Sequence, residues 1–248
     1  MPYDRQRFHA VADGLRFANH FSVTSPFRPA ARRQESLLAP LEKRCLIWLA
    51  QHTPPWIHSD HLTALGFLAL AGAGLCYWHA RSHPRGLLLA ILCLALNWLG
   101  DSLDGTLARV RNRQRPRYGF YVDHVVDSFG ALFLLGGLAL SGYMSPAVAL
   151  ALLVAYLLLS IEVYLATYAL GVFELSHGKF SPTELRILLA VGNLALLYRP
   201  AVDLFGSRFR LFDVGGVIGL AGLILTLVVS VVRHTAVLYR AEPLASGR

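Results

Sequence analysis

Six apolar segments follow one another along the chain from residue 62 onward, separated by short links that carry charged residues, proline or glycine. Their approximate bounds are 62–78, 86–100, 118–141, 147–172, 185–198 and 214–232. Most are close to the roughly 20 apolar residues that an α-helix needs to cross a bilayer, although the fifth is short. The pattern therefore predicts an all-α integral membrane protein with six transmembrane helices.

A different pattern precedes the first span, between residues 35 and 50. Apolar residues recur there at helical spacing, and the charged residues 42–44 lie elsewhere on the helical wheel. The apolar positions are Leu38, Leu41, Cys45 and Leu49. This pattern favours an interfacial amphipathic helix along the membrane surface, while a short soluble helix packed on a loop stays open as the alternative. Pro54 and Pro55 end this helix, because proline cannot continue it.

Composition agrees with a membrane protein, since 55% of the residues are hydrophobic and only 15% are charged. The net charge of +8 comes mainly from arginines near the span ends, which indicates membrane topology and contact with anionic lipids. No aromatic and basic surface module is visible, so we expect no nucleic-acid partner. The three irregularly spaced cysteines predict neither a disulfide framework nor a zinc site. The first residues contain no continuous apolar run, and we expect no cleavable signal peptide.

Charge in the links predicts the orientation in the membrane. Arginines alternate along residues 109–117 and the N-terminal arm is basic, whereas the link 142–146 has no charge. We therefore expect both termini and the second link on the cytoplasmic side of a bacterial inner or plasma membrane. Arg199, Arg208 and Arg210 argue weakly the other way. The domains expected are an arm with the interfacial helix (1–58), the transmembrane domain (59–240) and a short tail (241–248).

Four aspartates are concentrated between residues 101 and 127, at the inner edges of the second and third spans. A carboxylate in or beside hydrocarbon is costly unless it is paired, hydrated or bound to a metal, so packing does not explain the group. If the second span continues as a helix, Asp101 and Asp104 share one face, as do Asp123 and Asp127 on the next helix. The two helices would then present four carboxylates, and hard divalent cations prefer such oxygen ligands.

The spacing of these aspartates, and of the small residues among them, resembles the signature of the CDP-alcohol phosphotransferase family of integral membrane enzymes. All eight signature positions are filled, by Asp101, Asp104, Gly105, Ala108, Arg109, Gly119, Asp123 and Asp127. Residues 59–63 occupy the place of a short polar segment that precedes the first span in the family. Asp60 stands there where asparagine is usual.

The resemblance implies an enzyme that cleaves the pyrophosphate bond of a CDP-linked donor, transfers the phosphoryl-alcohol part to a hydroxyl acceptor and releases CMP. Asp127 is the implied general base, which takes the proton of the acceptor hydroxyl. The implied metal ligands, for Mg²⁺ or Mn²⁺ with two ions expected, are Asp101, Asp104, Asp123 and Asp127. The residues implied in donor and nucleotide binding are Asp101, Gly105, Ala108, Arg109 and Gly119.

The signature does not distinguish the substrates, of which at least one is a lipid. For a compact six-span member we favour CDP-diacylglycerol with a small polar alcohol, and CDP-choline or CDP-ethanolamine with diacylglycerol is the alternative. The resemblance also implies a homodimer. Two other classes stay open: a small ion-coupled transporter, for which no internal repeat is visible, and a non-catalytic descendant of the enzymes.

Basic residues near the fifth span are further candidates for the site. Residues 181–184 read Ser-Pro-Thr-Glu, which predicts a helix N-terminus with a capping box. Arg186 lies in the first turn, where it either anchors at the lipid headgroups or binds a phosphate of donor or acceptor. Lys179 is a second phosphate candidate, and Arg117 is a third, for the acceptor.

Polar residues also occur inside the predicted spans. Glu162 lies deep in the fourth span, and we expect it to face the interior with a partner. Pairing with an arginine or a tyrosine hydroxyl stays open beside a catalytic role. Asn97 and Asn193 are predicted to form hydrogen bonds between helices. His124 adjoins the aspartates, but its side chain is expected to point away from the face that carries Asp123 and Asp127.

Overall fold

The computed structural model describes residues 39–170 and 182–242. Seven helices and one β-hairpin form within these residues. The elements are α1 (Ala39–His52), α2 (Ser59–Ala80), α3 (Gly86–Val110), α4 (Pro116–Ser141), α5 (Pro146–Leu170), α6 (Pro182–Tyr198), β1 (Ala201–Leu204), β2 (Ser207–Arg210) and α7 (Leu211–Ala241). The prediction of an all-α membrane protein is confirmed.

The sequence explains where several of these helices begin and end. Pro116, Pro146 and Pro182 are the first residues of α4, α5 and α6, where the missing N–H of proline costs nothing. Gly142 ends α4 in the left-handed conformation, with φ of 80°, which glycine adopts without strain. The α3 helix continues past residue 100 to Val110 and so carries Asp101 and Asp104 on its last turns.

Five of the helices, α2, α3, α4, α5 and α7, are long and apolar enough to cross a membrane. The sixth predicted span, α6, has 17 residues and is about 26 Å long at about 1.5 Å per residue. That length is less than the roughly 30 Å of a bilayer's hydrocarbon core. The count of six full spans is therefore not confirmed.

The α3 helix lies at the centre of the bundle and packs against α1, α2 and α6. Its closest crossing is with α2, where a Cβ atom added to Gly100 would lie 2.5 Å from the backbone nitrogen of Gly66. Such small residues allow two membrane helices to approach closely. The crossing lies directly beside Asp101 and so fixes the first turns of α2 against the aspartates.

The α1 helix is present, but its buried side differs from the prediction. Cys45 is exposed, whereas Leu46 and Ala50 are buried and Leu49 is half-buried. The buried side chains pack with Leu62 of α2 and with Leu103 and Leu107 of α3. The buried side of α1 is therefore turned toward the inner ends of α2 and α3. Leu38 and the side chain of Leu41, the other two predicted apolar positions, lie outside the described residues.

The link between α6 and α7 is a β-hairpin, which the sequence pattern did not predict. The antiparallel register pairs Val202 with Phe209 and Asp203 with Arg208. Phe205 and Gly206 form the turn with φ of 52° and 77°. Positive φ at both central residues is typical of the tight turns that close two-residue hairpins.

Glu162 of α5 does face another helix, and the partners shown among the described residues are a histidine and a serine of α7 rather than the predicted arginine or tyrosine. His234 of α7 approaches one carboxylate oxygen through Nδ1 at 2.6 Å, and Ser230 donates its hydroxyl to the other at 2.7 Å. Asn193 of α6 donates to the hydroxyl of Tyr77 on α2 at 2.8 Å, so the prediction of an interhelical bond is correct there.

Candidate active site

Three of the four aspartates converge where α3 faces α4. One carboxylate oxygen from each of Asp101, Asp123 and Asp127 lies within 4.8 Å of the other two, and all three residues are half-buried. Asp123 and Asp127 are one turn apart on α4, so both reach the same side of that helix. Three carboxylates at this separation repel one another, and a cation between them would remove that repulsion.

Asp104 lies beside this group rather than within it. All four carboxylates line one small cavity between α2, α3 and α4. Asp104 accepts a hydrogen bond of 2.6 Å from the hydroxyl of Thr63 and another from the backbone N–H of Gly105. Its main-chain carbonyl accepts from Ser59 at 3.0 Å. Ser59 and Thr63, one turn apart on α2, therefore hold Asp104 in place.

Arg186 reaches the aspartates from α6. Its Nη2 donates to Asp101 Oδ2 at 2.6 Å and its Nε donates to Asn97 Oδ1 at 2.7 Å. The side chains of Arg186 and Asp101 are 15% and 29% exposed, so solvent screens this ion pair only partly. The sequence interpretations placed Arg186 at the headgroups or on a substrate phosphate, and neither included a contact with Asp101.

Asn97 connects this ion pair to α2. Its side-chain amide donates to the carbonyl of Gly66 at 2.9 Å, and the residue is 3% exposed. The interhelical hydrogen bond expected of Asn97 is therefore present. In addition, Asn97 joins α2 and α6 through Arg186, a role that sequence spacing did not reveal.

The remaining signature residues lie around the inner end of α3. Arg109 donates to the hydroxyl of Thr106 at 3.0 Å, and a Cβ atom on Gly105 would lie 3.4 Å from the Arg109 guanidinium. A Cβ atom on Gly119 would meet nothing within 4 Å, so the backbone there borders open space. Ala108 lines a second, larger cavity.

The second cavity has a volume of about 480 Å³ and lies where the start of α2 meets the end of α3. It is lined by His58, Ser59, Asp60, His61, Leu107, Ala108, Arg111, Arg113, Gln114 and Arg115. Arg115 donates to Asp60, an interaction that raises the pKa of the guanidinium, and its head group lies 4.1 Å from the centre of the Tyr118 ring. The cavity is therefore cationic on one side and carries one carboxylate.

Arg111 has a structural contact, whereas the sequence favoured topology and lipid contact for the arginines of this link and left binding of an acceptor phosphate open as the alternative. Its guanidinium donates to the carbonyls of Ile57 and Thr53 at 2.5 and 2.6 Å, and to that of Pro54 at 3.0 Å. These carbonyls belong to the proline-containing turn after α1. Arg111 therefore fastens that turn to the end of α3.

Glu42 on α1 joins three helices through hydrogen bonds that the sequence did not indicate. Its Oε1 accepts hydrogen bonds from Trp98 at 2.8 Å, from Ser102 at 3.4 Å and from Thr183 at 2.8 Å. Trp98 and Ser102 lie on α3, and Thr183 lies one turn before Arg186 on α6. Their wide separation in sequence left no local signal for this junction.

Two further candidates stay predictions. Lys179 lies outside the described residues, as does Ser181 of the predicted capping box. Arg117 is half-buried near the start of α4. His124 is the residue predicted to point away from the face of Asp123 and Asp127, and its ring lies 4.7 Å from the ring of Tyr164 on α5.

Comparison with models of known protein families gives a match for this chain. Residues 56–232, more than half of its length, match the family model described as CDP-alcohol phosphatidyltransferase. The matched range contains the four aspartates, Arg186 and both cavities. A comparison with curated proteins gave no match.

Proposed function

The chain belongs to the CDP-alcohol phosphatidyltransferase family, and we propose that it transfers a phosphatidyl group from CDP-diacylglycerol to a small polar alcohol. The family transfers a phosphoalcohol group from a CDP-alcohol. The observation that carries the proposal is the convergence of Asp101, Asp123 and Asp127 beside Arg186. A pyrophosphate donor needs positive charge beside its phosphates. Cations held by the carboxylates, together with the guanidinium of Arg186, would supply that charge.

The aspartates fit a divalent cation by their chemistry, since all the donors are oxygen atoms. We propose that Asp101, Asp123 and Asp127 hold Mg²⁺ or Mn²⁺, with Asp104 contributing where two ions bind. When bound, such ions would neutralise the phosphate charges of the donor and favour departure of CMP.

Asp127 is the proposed general base. The oxygen of the acceptor hydroxyl attacks the phosphorus that carries the diacylglycerol, and its proton passes to the Asp127 carboxylate. A new phosphorus–oxygen bond forms, the pyrophosphate bond breaks, and its electron pair leaves on the phosphate of CMP. Asp127 lies deeper along α4 than Asp123, which suits a group that meets the acceptor rather than the nucleotide.

The nucleotide is proposed to occupy the larger cavity beside Ala108. Its volume of about 480 Å³ lies in the range of small-molecule sites, and Ala108 and Arg109 are signature positions. Gly105 and Gly119 would let the donor approach the backbone. The cleft is proposed to open toward lipid, so that diacylglycerol stays in the bilayer while the headgroup reacts.

Arg186 is the proposed phosphate ligand on α6. Its contacts with Asp101 and Asn97 use two of the five N–H donors of a guanidinium, which presents them in a fixed planar fork. The proposed assembly is a homodimer, with the active site at the cytoplasmic face. Arg117 and Lys179 remain the lesser candidates for the acceptor phosphate.

The test is CMP release by the purified full chain in nanodiscs with Mg²⁺, CDP-diacylglycerol and one acceptor at a time. The acceptors are inositol phosphate, glycerol phosphate, serine and choline. The proposal predicts CMP with one of these acceptors and a lipid product that contains it. Turnover only with CDP-choline or CDP-ethanolamine and diacylglycerol would reverse the donor assignment, and no turnover with any CDP donor would overturn the proposal.

A further inference from the structure

The hairpin of β1 and β2 lies at the end of the bundle opposite to the aspartates. Arg186, near the start of α6, contacts Asp101, whereas Tyr198 at the end of α6 leads into the hairpin. The α6 helix is about 26 Å long, and a hydrocarbon core is about 30 Å thick. A helix of this length that starts at the near edge of the core ends about 4 Å short of the far edge, so the hairpin begins at the boundary between the acyl chains and the far headgroups.

The register gives the hairpin two different faces. Residues directly opposite each other in an antiparallel pair share one side of the sheet. Val202 and Phe209 are opposite, and Leu204 and Ser207 follow on the same side. The other side carries the pairs Asp203 with Arg208 and Ala201 with Arg210. One face is therefore mainly apolar and the other is charged.

Phe205 at the turn is the least expected residue of the hairpin. Its φ of 52° is a left-handed conformation that asparagine or glycine adopts readily and a bulky residue does not. The side chain is also fully exposed, with a relative exposure of 103%. Both its conformation and its exposure oppose folding in water, so the described fold gives no reason for phenylalanine at this position.

The described part of the chain covers little of the hairpin. All four residues of β2 are exposed, and in β1 only Ala201 and Val202 are half-buried. An isolated two-stranded hairpin is marginally stable in water. A headgroup layer supplies what this one lacks, namely an apolar side for Phe205, Leu204 and Phe209 and phosphate groups for arginine.

We propose that the hairpin is an anchor that lies in the interface of the far leaflet of the bilayer. Phe205 and the face of Leu204 and Phe209 enter the outer part of the acyl chains, and Arg208 and Arg210 contact lipid phosphates. The anchor fixes the depth of α6, and with it the level at which Arg186 meets Asp101. The occupant of the apolar face is lipid, and this inference does not depend on the proposed substrates.

The test compares nitroxide labels on the two faces in the full chain, with its three cysteines replaced by serine, in nanodiscs. One label is attached after Phe205→Cys, and the matched control is attached after Asp203→Cys on the charged face. Collision with oxygen reports lipid, and collision with a water-soluble nickel complex reports water. We expect the oxygen-to-nickel ratio to be several-fold higher at position 205 than at position 203.

A second variant removes the dependence on a label at the turn. Phe205→Asn gives the sequence Asn-Gly, which favours the same turn, so the hairpin is retained. A label after Leu204→Cys should then become more accessible to nickel than in the presence of Phe205. Equal access to nickel at positions 203 and 205 would overturn the proposal, because the turn would lie in water. Shielding of position 205 from both reagents would also overturn it, because protein rather than lipid would cover the turn.

Discussion

Asp101 is held by Arg186, and Arg186 is held by Asn97, which donates in turn to the carbonyl of Gly66. The three hydrogen bonds join α2, α3 and α6 beside the carboxylate cluster. A carboxylate that binds a metal is usually oriented by such outer contacts, and their loss commonly costs about 10- to 100-fold in metal affinity or activity. Asn97 is therefore a positioning residue for the proposed site.

We expect Asn97→Leu to lower kcat/KM for CMP release by about 10- to 100-fold and to weaken Mn²⁺ binding, measured by electron paramagnetic resonance. Leucine has a similar volume but neither donates nor accepts, so Arg186 and the Gly66 carbonyl both lose a partner. Arg186→Lys should give a similar loss, since lysine retains the charge but cannot form the planar fork.

Asn193→Leu is the matched control for Asn97→Leu. Asn193 is equally buried and bonds Tyr77, but it lies toward the far end of the bundle. It should lose thermal stability while turnover and Mn²⁺ affinity per folded molecule stay at the wild-type level. Equal losses of turnover in the two variants would show that Asn97 has only a structural role.

The α7 helix is attached to the bundle near its two ends. Near its start, the carboxylate of Asp213 accepts from the backbone N–H of Ser145 at 2.6 Å, and Phe212 is buried. Farther along, Ser230 and His234 bond Glu162. Between these points most of the helix is apolar and open, so we expect Glu162 to have a structural role as the inner attachment.

Glu162→Leu should destabilise the fold by on the order of 1–2 kcal/mol, because His234 and Ser230 lose their shared partner inside the membrane. The double variant Glu162→Leu with His234→Leu should regain part of that loss, since two apolar residues leave no unpaired charge. Unfolding in bicelles with increasing denaturant measures both values. Strictly additive losses would contradict the pairing, and lost turnover per folded molecule would indicate a role in the reaction.

Local spacing predicts which aspartates share a helix face, but not which helices bring distant residues to them. Asp101 and Asp104, and likewise Asp123 and Asp127, share helix faces because α3 and α4 run through them without a break. Arg186 is 85 residues from Asp101, so only the packing of α6 on α3 reveals their contact. Thr63 and Asp104, 41 residues apart, meet through the crossing of α2 and α3.

The sequence did not indicate the hairpin or the buried side of α1, because the local signal is weak in both cases. The hairpin strands are only four residues long, and Phe205 stands where a turn favours asparagine, so the local signal is weak. In α1, the predicted apolar positions 45 and 49 and the buried positions 46 and 50 are offset by one residue, so helical spacing alone hardly separates them. Only its contacts with Leu62 and Leu103 select the second.

The α3 helix connects the parts of the proposed site. Glu42 bonds Trp98 and Ser102 on α3 and Thr183 on α6. Arg186 joins the same two helices one turn farther along. The surface helix α1 and the short helix α6 are thus fastened to the aspartate-bearing helix at two adjacent levels. The prediction that this end faces the cytoplasm follows from the arginines of residues 109–117.

The bundle also has open apolar faces, most of all on α7. Much of the α7 surface is uncovered, and only 11% of the most apolar stretch of this helix is buried. In a membrane, lipid or a second copy of the chain would cover this surface, and a second copy agrees with the proposed homodimer. The site itself lies between α2, α3, α4 and α6, within one copy.

Single-turnover CMP formation by Asp127→Asn tests whether the aspartate cluster performs the transfer with Asp127 as the base. Asp203→Asn, the same change in the far hairpin, is the matched control. With saturating donor and Mg²⁺, Asp127→Asn should be slower by about 100-fold or more, because the change removes the base for the acceptor proton and one proposed ligand of the cation. A rate equal to that of Asp203→Asn would contradict the account.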